Sequence, residues 1–176
     1  MLKKISLLLV IFFSLNGCGL LVGNVKPVDE KDEGYRTLDL TKENPDWIKL
    51  NSDTSSTKDE SDISYQSKKT ATIISLNSAC RKSNEDTDND LNHFTKLLLL
   101  GISDISEKTE KPLTVANTPA LETTVQGKMG DEVMRLRTVV LKRSDCLYDL
   151  MFIARPENFS IHESDFGKFV TSLRLK

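Results

Sequence analysis

The side chains best suited to covalent or acid–base chemistry in this 176-residue chain are three cysteines and two histidines. Cys18 stands alone, at the end of an apolar run. Cys80 and Cys146 each sit at the end of an expected strand. His93 and His162 lie near expected helix starts among polar neighbours, where solvation or capping is their natural role. A Ser-His-Asp site needs all three groups within hydrogen-bond reach. Serines and aspartates are abundant, so their presence selects nothing, and no Gly-rich nucleophile elbow surrounds any Ser. A Cys-His pair would need a free thiol. Asp86-Thr87-Asp88-Asn89-Asp90 has the opening spacing of a calcium loop, in which alternate oxygens converge on one ion. Its sixth position is Leu91, where a Gly should turn the chain, and its twelfth is Leu97, where a bidentate Glu should close the site. An EF-hand is excluded. The expected role is a solvated loop whose acids favour the following helix N-terminus, with a weak surface calcium site as the alternative. The sequence supplies no catalytic residue and no metal ligand set, and it implies no dissociable cofactor.

The neighbourhood of Cys18 is more specific. Lys3 and Lys4 precede an apolar run from Ile5 to Leu15, broken only by Ser6 and Ser14. A charged start and about ten apolar residues before a small-residue cut site is the secretory pattern. The run is too short for a bilayer, which takes about 20 apolar residues. It ends Leu15-Asn16-Gly17-Cys18, and this segment resembles the lipobox of bacterial lipoproteins. The resemblance implies that Leu15 and Gly17 are read by the signal peptidase. It further implies that Cys18 carries a diacylglyceryl group and an N-acyl group, and that residues 1–17 are removed. Asn16 is a less usual occupant of its position. At about 0.8 kcal/mol per buried methylene, several acyl chains give a stable membrane anchor. Gly19 stands where an inner-membrane-retained lipoprotein tends to carry Asp, so the outer membrane is the expected location.

The chain has 24 basic and 26 acidic residues, and two of the bases fall within the first 17 positions. A mildly acidic remainder argues against nucleic acid and against a polybasic membrane patch. The expected partners are the membrane, through the lipid, and an envelope protein. Two cysteines left in an exported chain suggest a Cys80–Cys146 disulfide. Two separate buried thiols are the alternative.

Residues 18–34 hold glycines, a proline and a charge run, and read as a lipidated flexible tether before one domain at 35–176. Within that domain Tyr35–Leu40 alternates weakly, as a short strand would. Trp47–Leu50 suggests a strand that buries the only Trp. The stretch from Asn51 to Asp62 is all polar and cannot pack. Ile63–Tyr65, a turn at Ser67–Lys69 and Thr70–Ala79 form the clearest strand pair. The second of these is apolar on both faces, as a central strand would be. A helix is expected at about Asn89–Gly101, capped by Asp88 or Asn89. Its stripe would be Leu91, Phe94, Leu98 and Ile102, thickened by Leu97. Strands follow at Lys111–Val115, Ala120–Gln126, Glu132–Lys142 and Cys146–Arg155, with a glycine turn at 127–131. A last helix is expected from about Ile161, with Ser160 and Glu163 as a capping box and a stripe of Phe166, Phe169, Val170 and Leu173.

This is an α+β order: an antiparallel sheet flanked by about two helices. The element order and the closing Phe166-x-x-Phe169-Val170 stripe resemble the PsbP and Mog1 fold, an α/β/α sandwich, over about Trp47 to Lys176. The resemblance implies a binding or assembly role and carries no site residues, because fold does not fix function. Three functions follow: a non-catalytic accessory or protein-binding lipoprotein of the cell envelope, a small-ligand or lipid-binding lipoprotein, and an enzyme with an unrecognised site. An exposed apolar patch on the domain would favour the first.

Overall fold

The computed structural model describes residues 26–27, 34–50, 62–80 and 90–176. Leu15, Gly17 and Cys18 lie outside the described residues, as do the rest of the expected signal peptide and most of the expected tether. Residues 51–61 and 81–89, where polar loops are expected and which include Asp86 and Asp88, lie outside them too.

Among the described residues ten strands and three helices follow one another. They are β1 (Lys26–Pro27), β2 (Tyr35–Arg36), α1 (Leu40–Glu43), β3 (Trp47–Leu50), β4 (Ile63–Ser67), β5 (Ile73–Cys80) and α2 (Leu91–Leu98). Then come β6 (Ser103–Val115), β7 (Thr118–Met129), β8 (Glu132–Arg143), β9 (Cys146–Ala154), α3 (Pro156–Ser172) and β10 (Arg174–Leu175). The main sheet runs β3-β4-β5-β9-β8-β7-β6, antiparallel throughout. β4 pairs with one end of β5, and β1 pairs with the other end at Ala79 and Cys80. β2 and β10 form a separate two-stranded ribbon that ties Arg174 and Leu175 to Arg36 and Tyr35.

Alternation along β5, β9 and β8 sends one set of side chains to each face. On the first face Ile74, Leu76, Val139, Leu141, Leu150 and Phe152 meet Phe159, Phe166, Phe169 and Leu173 of α3. Phe152 stacks on Phe166 at 5.4 Å and lies 4.5 Å from Phe159, and Tyr65 meets Phe169 edge-on. On the second face Leu99, just past α2, packs with Val125 and Leu136, with Ile102, Met134, Met151 and Ile153 at the margin. Helices therefore cover both faces of the α+β sheet, as the element order implies, but very unequally.

Several boundaries differ from expectation. α3 begins at Pro156, not Ile161, so Ser160 is inside the helix and makes no capping box. Proline has its φ preset for a first helical position, and the earlier start adds Phe159 and His162 to the buried stripe. Glu163 instead pairs with Arg137 at 2.6 Å. α2 is capped by Asp90, whose carboxylate accepts from the Asn92 N–H. Its inward residues are Thr95 and, beyond it, Leu99, and Leu97 is 42% exposed. The Tyr35–Leu40 strand stops at Arg36, and Asp39 caps the short α1 that Leu40 opens. β6 starts eight residues before Lys111. Gly127 lies in β7 rather than in a turn. A Cβ there would stand 2.6 Å from the Ile102 Cγ2 and 2.7 Å from the Ser103 carbonyl oxygen, so only glycine admits the incoming chain. The turn itself uses Gly130, at φ +61°.

Candidate functional site

The chemistry-bearing residues fall into three separate places. Cys80 and Cys146 are direct cross-strand neighbours on β5 and β9, joined by a disulfide where β1 also pairs. His93 is exposed on the first turn of α2. His162 is neither solvated nor a cap. It is 3% exposed and faces inward from α3, because positions 159, 162, 166 and 169 share one helical face.

His162 organises a buried polar hub. Its Nε2 lies 3.1 Å from the Thr70 hydroxyl and 3.7 Å from an Asp46 carboxylate oxygen; its Nδ1 lies 3.4 Å from Asp165. The Trp47 indole donates to Asp165 at 2.9 Å, Asn44 donates to the same oxygen, and Ser67 donates to Asp46 at 2.6 Å. The Trp47 ring meets the His162 ring at 4.8 Å. Burial pushes the Asp165 carboxyl up, but donation from Trp47, His162 and Asn44 outweighs it and holds the group below the ordinary carboxylate range. The Thr70, His162 and Asp165 order has the look of a nucleophile–base–acid relay. The groups are instead bonded to one another and sealed under Trp47. They bind α3 to β3 and to the β4–β5 turn, which is a structural role.

The second face is different. The register puts Ser75, Met151, Thr138 and Thr123 in one row across β5, β9, β8 and β7. The next row is Asn77, Asp149, Val140 and Leu121. The Thr123 and Thr138 hydroxyls are buried with no hydrogen-bond partner among the described residues, and so is that of Thr95 on α2. Each such group forfeits about 1–3 kcal/mol of hydration. Asp149 accepts from the Asn77 amide at 2.7 Å, and burial pushes its carboxyl up to about 6. Where α2 ends, large apolar side chains face solvent: Leu97, Leu100 (78% exposed), Ile105 and Met129. Ile105 lies beside the point where Gly127 lets the chain cross from α2 into β6, Met129 is two residues beyond Gly127 in β7, and Leu97 and Leu100 are at the end of α2 that leads there. Sequence reading places Leu97 in the core and says nothing of the threonines. Their row becomes visible only once the strand register is known.

Among the described residues no group of three or more His, Cys, Asp or Glu is placed to hold a metal ion, and no helix is long and apolar enough to cross a membrane. The arrangement suits binding through a thinly covered sheet face and an apolar corner.

No protein-family model matches the sequence, and no curated protein does. Solved structures do match. Cyanobacterial PsbP (CyanoP) from Synechocystis sp. PCC 6803 aligns over 92% of this chain and 99% of its own, with a TM-score of 0.56 and 14% identity. LpqN, involved in cell envelope biogenesis of Mycobacterium tuberculosis, aligns over 86% of this chain and 90% of its own, with a TM-score of 0.61 and 11% identity. At these identities the likeness is one of fold. The chain has the PsbP-like α+β architecture.

Proposed function

We propose that this chain is a lipid-anchored protein of the bacterial cell envelope that acts by docking on another envelope protein rather than by catalysis. Diacylglyceryl and N-acyl groups on Cys18 hold it to the membrane, most naturally the outer one, and residues 18–34 link anchor to domain. The observation that carries the docking role is the apolar corner of Leu97, Leu100, Ile105 and Met129, which burial against a partner would stabilise. Support for the setting comes from the lipobox-like Leu15-Asn16-Gly17-Cys18 and from the PsbP-like fold, shared with a protein involved in envelope biogenesis.

The test is a crosslinking pull-down of the full chain from native membranes, with an anchor-and-tether version lacking 35–176 as control. Mass spectrometry of the mature amino terminus reads the lipid directly. A stoichiometric envelope protein recovered only with the domain present is the expected result. A co-purifying lipid with no protein would instead favour a carrier, for which the buried unpartnered threonines under α2 are the motivating feature.

A further inference from the structure

β6 ends the main sheet, and its outer edge pairs with no other strand among the described residues. Ten successive residues, Ser103 to Pro112, are exposed, so neither of its faces is covered there. Such an edge is a template for another strand. The sequence along it, Glu107-Lys108-Thr109-Glu110-Lys111, reads as the opposite charge pattern when reversed.

The backbone has the matching parity. Ala116 and Asn117, both at positive φ, make a two-residue hairpin loop closed by Val115 and Thr118. The closing pair exchanges backbone hydrogen bonds, and the ladder alternates from there. Glu107, Thr109, Lys111 and Leu113 therefore turn their amides and carbonyls toward β7. Lys108 and Glu110 turn theirs outward. Pro112 also faces out, with no N–H to give, and a bulge lies between Ser103 and Glu107. The usable edge is thus bounded on both sides.

We propose that two copies of this chain pair antiparallel through β6 about a two-fold axis at Thr109. Lys108 then stands opposite Glu110 of the second copy in a hydrogen-bonded pair. Glu107 stands opposite Lys111 in a non-hydrogen-bonded pair on the other face, and symmetry repeats each contact. Moving the axis by one residue places Lys108 opposite itself, or Glu110 opposite itself, so the charges select the register. Within one copy Lys108 and Glu110 already meet at 2.8 Å, and pairing completes a square of four alternating charges. The interface is isologous and closes on itself, which forbids continued growth along that edge. It is also small, so it depends on the copies being concentrated, as attachment to a common surface would do.

The test uses the full chain in its own membranes. In a non-hydrogen-bonded pair the two Thr109 Cα atoms lie about 4.5 Å apart, within disulfide range. Thr109→Cys should give a covalent dimer on a non-reducing gel, and Thr114→Cys should not. Adding Lys108→Glu and Lys111→Glu to Thr109→Cys should abolish the dimer. Co-expression with a Thr109→Cys chain carrying Glu107→Lys and Glu110→Lys should restore it as a heterodimer. On the unaltered chain, carbodiimide should join Glu107 to Lys111, which are too far apart along one strand to react within a copy. A monomeric Thr109→Cys chain, equal dimer at Thr114→Cys, or indifference to the charge reversals would each overturn the proposal, as would absence of the Glu107–Lys111 link.

Discussion

The two faces of the sheet are built to different standards. Under α3, aromatic side chains interlock, and the buried polar groups around His162 bond to one another, although one Asp46 carboxylate oxygen and the Arg135 Nε have no hydrogen-bond partner among the described residues. Under α2, the one buried residue of the helix is Thr95, facing strands whose threonine hydroxyls have no partner. Leu97 and Leu100 at the end of that helix face solvent, and only Leu99 between them packs inward. A face packed like the first is spent on folding. A face packed like the second leaves surface and stability free for another molecule, which is where low local stability is expected.

The largest expected effect lies on the first face. Phe166→Ala opens a hole beneath Phe152 and should cost about 3–5 kcal/mol, read as a fall in the urea midpoint. Leu99→Ala, its counterpart on the second face, should cost visibly less, and equal losses would erase the contrast between the faces. Gly127→Ala forces a Cβ onto the Ser103 carbonyl and the Ile102 side chain. Overpacking of this kind costs about 1–3 kcal/mol, and the lost stability should appear with faster amide exchange in α2 and early β6. Thr138→Val keeps the shape and removes an unpartnered hydroxyl, so it should stabilise the fold by about 1 kcal/mol. A loss of that size instead would mean the hydroxyl has a partner, and the second face would then be better satisfied than it looks.

A further effect is a pH dependence. Asp149 holds its proton up to about pH 6 when folded, whereas an unfolded Asp releases it near 4. The native state then binds the extra proton between those values. The group's contribution to stability is full below about pH 4, declines as pH rises to about 6, and is flat above that. Asp149→Asn should remove this decline and leave the folded state more stable at pH 7. An unchanged stability–pH profile between pH 4 and 7 would show that the carboxyl is better solvated than its position between Asn77 and Val140 suggests.

The first face was largely legible in the sequence. Phe166, Phe169, Val170 and Leu173 recur at helical spacing, and the two-sided apolar pattern of Ile73 to Leu76 marks a central strand, so the PsbP-like order could be read. His162 was hidden by its polar neighbours, Ile161 excepted, yet it falls on the same stripe as Phe159 and Phe166; spacing was the signal, and residue type masked it. The Ser160–Glu163 pattern fitted a cap, but Pro156 fixes the start earlier. The second face was much less legible. Leu97 looked like core because apolar residues on both sides of α2 fit a stripe, and only the register reveals that Thr95 lies over a row of threonines. Two-residue elements such as β1, β2 and β10 carry too few residues for any period to show.

The central claim is that the α2 corner, and not the α3 side, is where a partner binds. Its most direct test compares recovery of the proposed envelope partner, in the crosslinking pull-down, by two surface variants of the full chain: Leu97→Glu with Leu100→Glu, and Ile161→Glu on the exposed side of α3. Both should unfold at the wild-type urea midpoint, since all three side chains face water. The account predicts that the first variant loses the partner and the second keeps it. Equal recovery by both, or loss only with Ile161→Glu, would contradict it.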